Sequence, residues 1–384
     1  MEPFVSMDVD QDAILAAIER LTLIESPSTS PQGVNRVLDA IAAMFEGTDA
    51  ALERRSTGPG YGDLLCVRCD PARPEPGILV LSHVDTVHPP GTLDTALRYR
   101  REGDRVYGPG IYDMKGGLVL AIAAYRRLAR AGIARPLPLT FLFTPDEEIG
   151  SPVSRPHIEA LARASRYALV TEPKRNGGKI VTRRKGTGHF EVRVRGRPAH
   201  AGASHAKGRS AIRAMAELVR SIEGFTDYAR GITTNVGTIH GGSAVNVVPE
   251  HCTIQVDLRA PDAATAAELQ ERFARLATAV PDVTVTVTGG MNRPPFVCDA
   301  RVEALFAAAA AVASKIDVRL ESAELSGGGS DGNFTAALGT ATLDGLGIDG
   351  DGGHTNAEHI LVSSIEPGTR LLQGLFETLQ AKAD

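Results

Sequence analysis

Five stretches of this 384-residue chain carry carboxylates or imidazoles, either where an apolar run stops or in a glycine-containing loop. In Leu79-Val80-Leu81-Ser82-His83-Val84-Asp85 a strand-like run ends in His-x-Asp, and strand alternation puts both polar side chains on one face. The imidazole can hold a metal ion while Asp85 holds its other nitrogen. A strand ending in a polar turn has the same spelling. Asp113 follows the loop Tyr107-Gly108-Pro109-Gly110 and precedes a helix, so a helix cap and a bridging metal carboxylate are both open. Asp146, Glu147 and Glu148 close the run Phe141-Leu142-Phe143-Thr144-Pro145. Three adjacent acids repel one another unless a cation sits among them; one can then bind a metal while its neighbour acts as general base on water. A solvated acidic turn is the alternative. Glu172 ends Ala168-Leu169-Val170-Thr171, and His354 sits in Asp351-Gly352-Gly353-His354-Thr355. Two histidines with three carboxylates, His83, Asp113, Glu148, Glu172 and His354, form a mixed nitrogen and oxygen set suited to a pair of zinc, manganese or cobalt ions.

The elements around them are those of an α/β fold. Apolar residues at helical spacing predict helices over 11–24, 32–45 and 115–131. Short apolar runs at 64–68, 77–81, 137–144 and 167–171 predict strands of a mostly parallel sheet with helices on both faces. The acids and histidines fall at strand ends that such a sheet brings to one edge. The texture changes near Gly186: His189-Phe190-Glu191-Val192-Arg193-Val194-Arg195 alternates strictly, as an antiparallel strand with one wet face does. Alternating strands at 233–239, 253–258 and 283–288, with helices at 211–222 and 264–278, predict an inserted α+β unit over 186–294. The catalytic domain is then 1–185 with 295–384, closing on a helix at 302–314, a glycine-rich loop at 327–332, a strand at 340–343 and a last helix from about Ser364.

Composition narrows the function. Hydrophobic residues make up 43% and charged residues 23%, which fits a globular protein, and a net charge of −5 gives no sign of a nucleic-acid partner. No apolar run approaches the ~20 residues of a membrane helix. The first sixteen residues lack the basic, apolar, small-residue succession of a signal peptide, so a cytoplasmic location is expected. Four cysteines are too few for a disulfide framework, and the Cys66-x-x-Cys69 pair reads as part of a strand rather than a zinc or redox site. No G-x-G-x-x-G follows the first strands, which argues against a dinucleotide-binding dehydrogenase.

These motifs, in this order and over nearly the whole chain, resemble the metallopeptidase family that includes acetylornithine deacetylase, succinyl-diaminopimelate desuccinylase, aminoacylase and the glutamate carboxypeptidases. The likeness rests on His83-Val84-Asp85, Gly110-Ile111-Tyr112-Asp113-Met114-Lys115-Gly116, Glu147-Glu148-Ile149-Gly150, Glu172-Pro173 and Gly353-His354-Thr355. It implies that His83 and Glu172 bind one metal ion, Glu148 and His354 the other, and that Asp113 bridges them. Zinc is expected first, with manganese or cobalt as alternatives. It implies further that Glu147 is the general acid/base, that Asp85 orients His83, and that the Asp113–Met114 peptide is cis. The inserted unit resembles a lid and dimerisation domain. Its Arg195–Gly202 stretch matches the segment whose histidine, here His200, reaches the partner subunit's site and stabilises an oxyanion. Asn246 and Arg259 fall in segments that hold the substrate's carboxylate, and Gly329 in the glycine loop that lines the pocket. Arg293 matches a region where the glutamate carboxypeptidases place an arginine. The resemblance thus implies a homodimeric two-metal hydrolase of an amide bond in an N-acyl amino acid or small peptide, carboxypeptidase-like. An N-deacylase, a hydrolytic deaminase of an aryl amine and a ligand-binding relative without turnover are the alternatives. Ser204-His205-Ala206-Lys207 departs from the family's usual proline and acid, which leaves the substrate open, and His88 and His240 match no family role.

Overall fold

A computed structural model describes residues 10–380 of the chain, which divides into two compact units. The first runs through Arg183 and resumes over Cys298–Glu324 and from Ser330; the second is Arg184–Val297 together with Leu325–Gly329.

The first unit is built on a six-stranded sheet, in the order Ala51–Arg55, Leu64–Arg68, Leu139–Thr144, Gly77–His83, Ser165–Val170, Ala341–Leu343. The last four run parallel and the first two pair antiparallel. Gly77–His83 reads as an unbroken apolar run because it lies between two parallel neighbours and is buried at every position after the first. Phe45, Tyr125, Phe141 and Phe376 pack ring against ring beside the sheet, with centroids 5.4 to 6.3 Å apart. Burying one side chain of this size contributes roughly 1.5–3 kcal/mol. The Gly116–Ala131 helix lies along this core and ends at Gly132, whose φ of 64° supplies the left-handed cap. Ser30, followed by Pro31, starts the Pro31–Met44 helix by accepting the Gly33 N–H.

A second, small antiparallel sheet, Gly350–Asp351, His359–Leu361, Arg105–Tyr107 and Arg100–Glu102, joins the stretch before Asp113 to the stretch around His354. These strands, Ala51–Arg55 and the Arg155–Arg163 helix lie outside the expected set. The missed strands are at most five residues long, and the Arg155–Arg163 helix buries only Ile158 and Ala162. Its periodic signal is correspondingly thin. No helix among the described residues is long and apolar enough to cross a membrane.

The second unit is a four-stranded antiparallel sheet in the order Thr284–Arg293, Gly186–Arg195, His251–Ala260, Thr233–Gly241, with helices Ala211–Glu223 and Ala263–Ala274. Phe190, Val192, Val194, Met215, Leu218, Ile254, Val256 and Phe273 form its core, with Phe190 and Phe273 stacked at 4.0 Å. The strand expected at 283–288 continues to Arg293, past Gly289 and Gly290, with a register shift between Met291 and Arg293. Gly289 has a φ of 103°, and a Cβ there would meet the His189 carbonyl at 2.1 Å.

Candidate active site

Three parallel strands of the first unit end side by side, and each hands a ligand-type residue to the same edge. His83 is the last residue of Gly77–His83, Glu147 and Glu148 follow Leu139–Thr144, and Glu172 follows Ser165–Val170. Asp113 comes from the loop before the Gly116–Ala131 helix. Its φ and ψ of −114° and 92° are not helical, and its carboxylate turns to the histidines instead of capping the helix. Oδ1 of Asp113 lies 3.2 Å from His83 Nε2 and Oδ2 lies 3.3 Å from His354 Nε2. His354 Nε2 is also 3.2 Å from Glu148, and His83 Nε2 is 3.6 Å from Glu172. His354 holds a positive φ of 65° in its glycine loop, a conformation seldom adopted outside glycine. The Asp113–Met114 peptide is cis.

The donor set fits divalent cations on two grounds. His83, Asp113 and Glu148 each place one ligand atom within 4.8 Å of the others, and His83, Glu147 and Glu172 do the same. Oε1 of Glu148 is buried with no hydrogen-bond partner, a costly state that a metal ion relieves. The charges lean the same way. Burial raises the Glu148 carboxyl, the hydrogen bond from His354 opposes this and Asp113 adds to it, leaving it at about 8. Burial alone would also raise Asp113, but hydrogen bonds from His354 and His83 outweigh it and hold the carboxyl well below its usual range. Hydrogen bonds to Asp113 and Glu148 raise His354 to about 11. These acids draw positive charge to themselves, a demand that divalent ions meet.

Asp85, fully buried, does something beyond its expected part. Its two oxygens accept the backbone N–H groups of Glu147 and Glu148, each at 3.1 Å, and Oδ2 also accepts the Ser28 hydroxyl at 2.6 Å. The Nδ1 of His83 is nearer the Asp85 carbonyl, at 3.0 Å, than its carboxylate, at 3.4 Å. His88, without an expected role, lies 2.6 Å from the buried carboxylate of Glu358. Ser28 and Glu358 were missed because neither belongs to a motif and each is remote in sequence from what it touches. The four cysteines are unpaired, and Cys66 and Cys69 are buried in the sheet region.

In the second unit, His200 accepts the N–H groups of Gly202 and Ala203 on Nδ1, at 3.1 and 3.0 Å. The neutral ring then carries its proton on Nε2, the geometry of a donor. Asn246 lies on the paired segment: its carbonyl accepts the Ala201 N–H at 2.9 Å, and His200 bridges Val247. Arg259 is held by Asp257 through two bonds of 2.8 Å and reaches the Gly327 carbonyl at 3.4 Å. Arg293, nearly buried, ends its strand against the glycine loop; a Cβ on Gly329 would lie 2.7 Å from its Cδ. Arg184 is fully buried and donates to the Gly328 carbonyl at 3.2 Å, so three arginine side chains lie against one loop.

The model of peptidase family M20/M25/M40 matches residues 79–378. Carboxypeptidase G2 of Pseudomonas sp. (strain RS-16) is 30% identical over 364 residues, covering 93% of this chain and 86% of that protein. A succinyl-diaminopimelate desuccinylase of Delftia acidovorans is 28% identical, covering 93% of this chain and 96% of its own length. Among solved structures, an aminopeptidase PepT from Bacillus cereus shares the fold, with a TM-score of 0.74 at 22% identity, covering 96% of this chain and 98% of that one.

Proposed function

That the chain belongs to peptidase family M20/M25/M40, and is a metal-dependent hydrolase of amide bonds, is the premise from which we propose its substrate and its division of labour. The substrate is an N-acyl amino acid or short peptide with a free carboxylate on the leaving side, cleaved in the manner of a carboxypeptidase. Two divalent ions, zinc first and manganese or cobalt otherwise, serve the site. His83 and Glu172 would hold one, Glu148 and His354 the other, with Asp113 shared. Bound there, they supply Lewis acidity that acidifies a water and polarises the scissile carbonyl.

The chain's own residues do the rest. Glu147, half-buried and fixed by the grip of Asp85 on its backbone N–H, takes a proton from the attacking water and returns it to the leaving nitrogen. His200, its Nδ1 occupied by two backbone donors, offers Nε2–H to the developing oxyanion. Arg293 receives the substrate's carboxylate, with Arg259, Asn246 and Gly329 shaping that subsite; a guanidinium fork suits a carboxylate bidentately. The protein is read as a cytoplasmic homodimer whose second unit acts as lid. Unpaired cysteines agree with a reducing compartment. The Thr233–Gly241 strand, an edge of its sheet with Ile239 exposed, is available to pair with a second copy.

One observation carries the metal assignment: the two oxygens of Asp113 face different histidines, 3.2 and 3.3 Å away. The test is metal content of the purified protein together with a panel of N-acyl amino acids, dipeptides and aryl amines. About two ions per chain and chelator-sensitive release of a C-terminal acidic residue are expected. Cleavage confined to N-acyl groups on basic amino acids would shift the assignment to a deacylase. Failure to bind any ion after reconstitution with zinc, manganese and cobalt would overturn it.

A further inference from the structure

We propose that Glu358, backed by His88, is a positioning residue for the metal centre, fastening together three of the segments that carry its ligands; this rests on the two-ion reading above. The Glu358 carboxylate is 1% exposed and fully engaged. Oε1 accepts the backbone N–H groups of Tyr112 and Asp113, at 2.9 and 3.0 Å. Oε2 accepts the Gly110 N–H at 3.0 Å and lies 2.6 Å from His88 Nε2. Main-chain contact adds to this, since the Gly108 N–H donates to the Glu358 carbonyl at 3.3 Å.

The placement of these partners gives the arrangement its meaning. His88 belongs to the loop that continues from His83, Gly110–Asp113 carries the shared aspartate, and Glu358 stands four residues beyond His354. Each of these loops leaves the end of a different strand. A buried loop without repeating structure must find acceptors for its N–H groups. Here one side chain supplies three. The loop is also tightly wound: Gly110 has a φ of 69°, and a Cβ there would lie 2.3 Å from the Thr86 methyl group. Asp113 therefore has its backbone N–H fixed by Glu358 while its carboxylate faces both histidines. A carboxylate alone, among side chains of this length, offers acceptors on both ends at once. In Glu358→Gln one end becomes a donor, and the –NH2 must face either Gly110 N–H or the pair at Tyr112 and Asp113. At least one backbone N–H then loses its acceptor.

The experiment is cobalt titration of the metal-stripped full chain against a chromophoric chelator, with the visible spectrum of the bound cobalt, for wild type, Glu358→Gln and His88→Gln. Melting temperatures are measured on the same metal-free samples. Glu358→Gln is expected to weaken cobalt binding about 10–100-fold and to change the spectrum, as loss of groups that hold ligands does. His88→Gln, one step further from the amides, is expected to shift both in the same direction by less. A lower melting temperature with wild-type cobalt affinity and spectrum in both variants overturns the proposal, leaving Glu358 a buttress of the fold only. Should Glu358→Gln fail to fold, His88→Gln decides alone: a changed affinity and spectrum supports the positioning role, and unchanged values overturn it. Wild type that takes up no cobalt overturns the underlying metal reading instead, which separates the two failures.

Discussion

Glu147 and Glu148 are neighbours in sequence, and both are half-buried, but their contacts differ. Glu148 lies 3.2 Å from His354 with its other oxygen buried and lacking a hydrogen-bond partner, whereas Glu147 has its backbone N–H held by Asp85. The first suits a ligand and the second a proton carrier. Glu147→Gln is expected to lower kcat by about 10²–10⁴-fold while the metal content stays at the wild-type level. Because Glu147 also stands within ligand range of His83 and Glu172, loss of an ion in that variant would make it a ligand instead. The cysteines give a second prediction at this scale. Burial raises the thiols of Cys66 and Cys69, so they remain protonated and unreactive near pH 8. Iodoacetamide is expected to label the half-buried Cys298 in the native protein and the others only after denaturation; native labelling of Cys69 would contradict this. At this scale His83, Glu148 and Glu172 were legible because each stands where an apolar run stops, and Asp113 and His354 because each sits in a glycine-containing loop. Ser28, Arg184 and Glu358 were not, since a lone serine, arginine or glutamate in a loop has no periodic or compositional mark. What they do depends on partners tens to hundreds of residues away.

The parallel strands were readable from their unbroken apolar runs, and the second unit from its strict alternation. Among the elements that escaped, Arg100–Glu102, Arg105–Tyr107 and His359–Leu361 are three residues each, too short for periodicity to register. They matter nonetheless, because they hold the Asp113 and His354 loops to each other. The turn between the first two helices has a similar hidden part. Ser26 donates to the Val84 carbonyl and accepts the Thr86 N–H, and Ser28 reaches Asp85, so this turn braces the segment after His83. Ser28→Ala removes one donor from a buried carboxylate, which is expected to cost about 1.5–3 kcal/mol of stability. Because Asp85 positions Glu147, kcat is expected to fall several-fold with KM little changed. Urea unfolding and steady-state kinetics on the same preparation check both; an unchanged kcat would confine Ser28 to stability.

At the scale of the whole molecule the proposed dimer yields a sharper test than its mass alone. If His200 serves the partner subunit's site, Glu147→Gln and His200→Ala are each inactive for complementary reasons. Co-expressed, the two variants are expected to recover about a quarter of wild-type activity, since half of the dimers would be mixed and each mixed dimer would hold one intact site. No recovery, from preparations shown to contain mixed dimers, would place His200 in the site of its own chain. The division of the chain into units bears on a different matter, transplantation. Arg184–Val297 is a continuous insertion, yet Leu325–Gly329 belongs with it. That short piece supplies the carbonyl that receives Arg184 and the glycine that makes room for Arg293. Moving the insertion alone into a related hydrolase would strand two buried guanidinium groups against a foreign loop. On the proposed placement of the carboxylate subsite at Arg293, substrate preference is then not a portable cassette. A chimera should inherit it only when both pieces, separated by some thirty residues of the other unit, travel together.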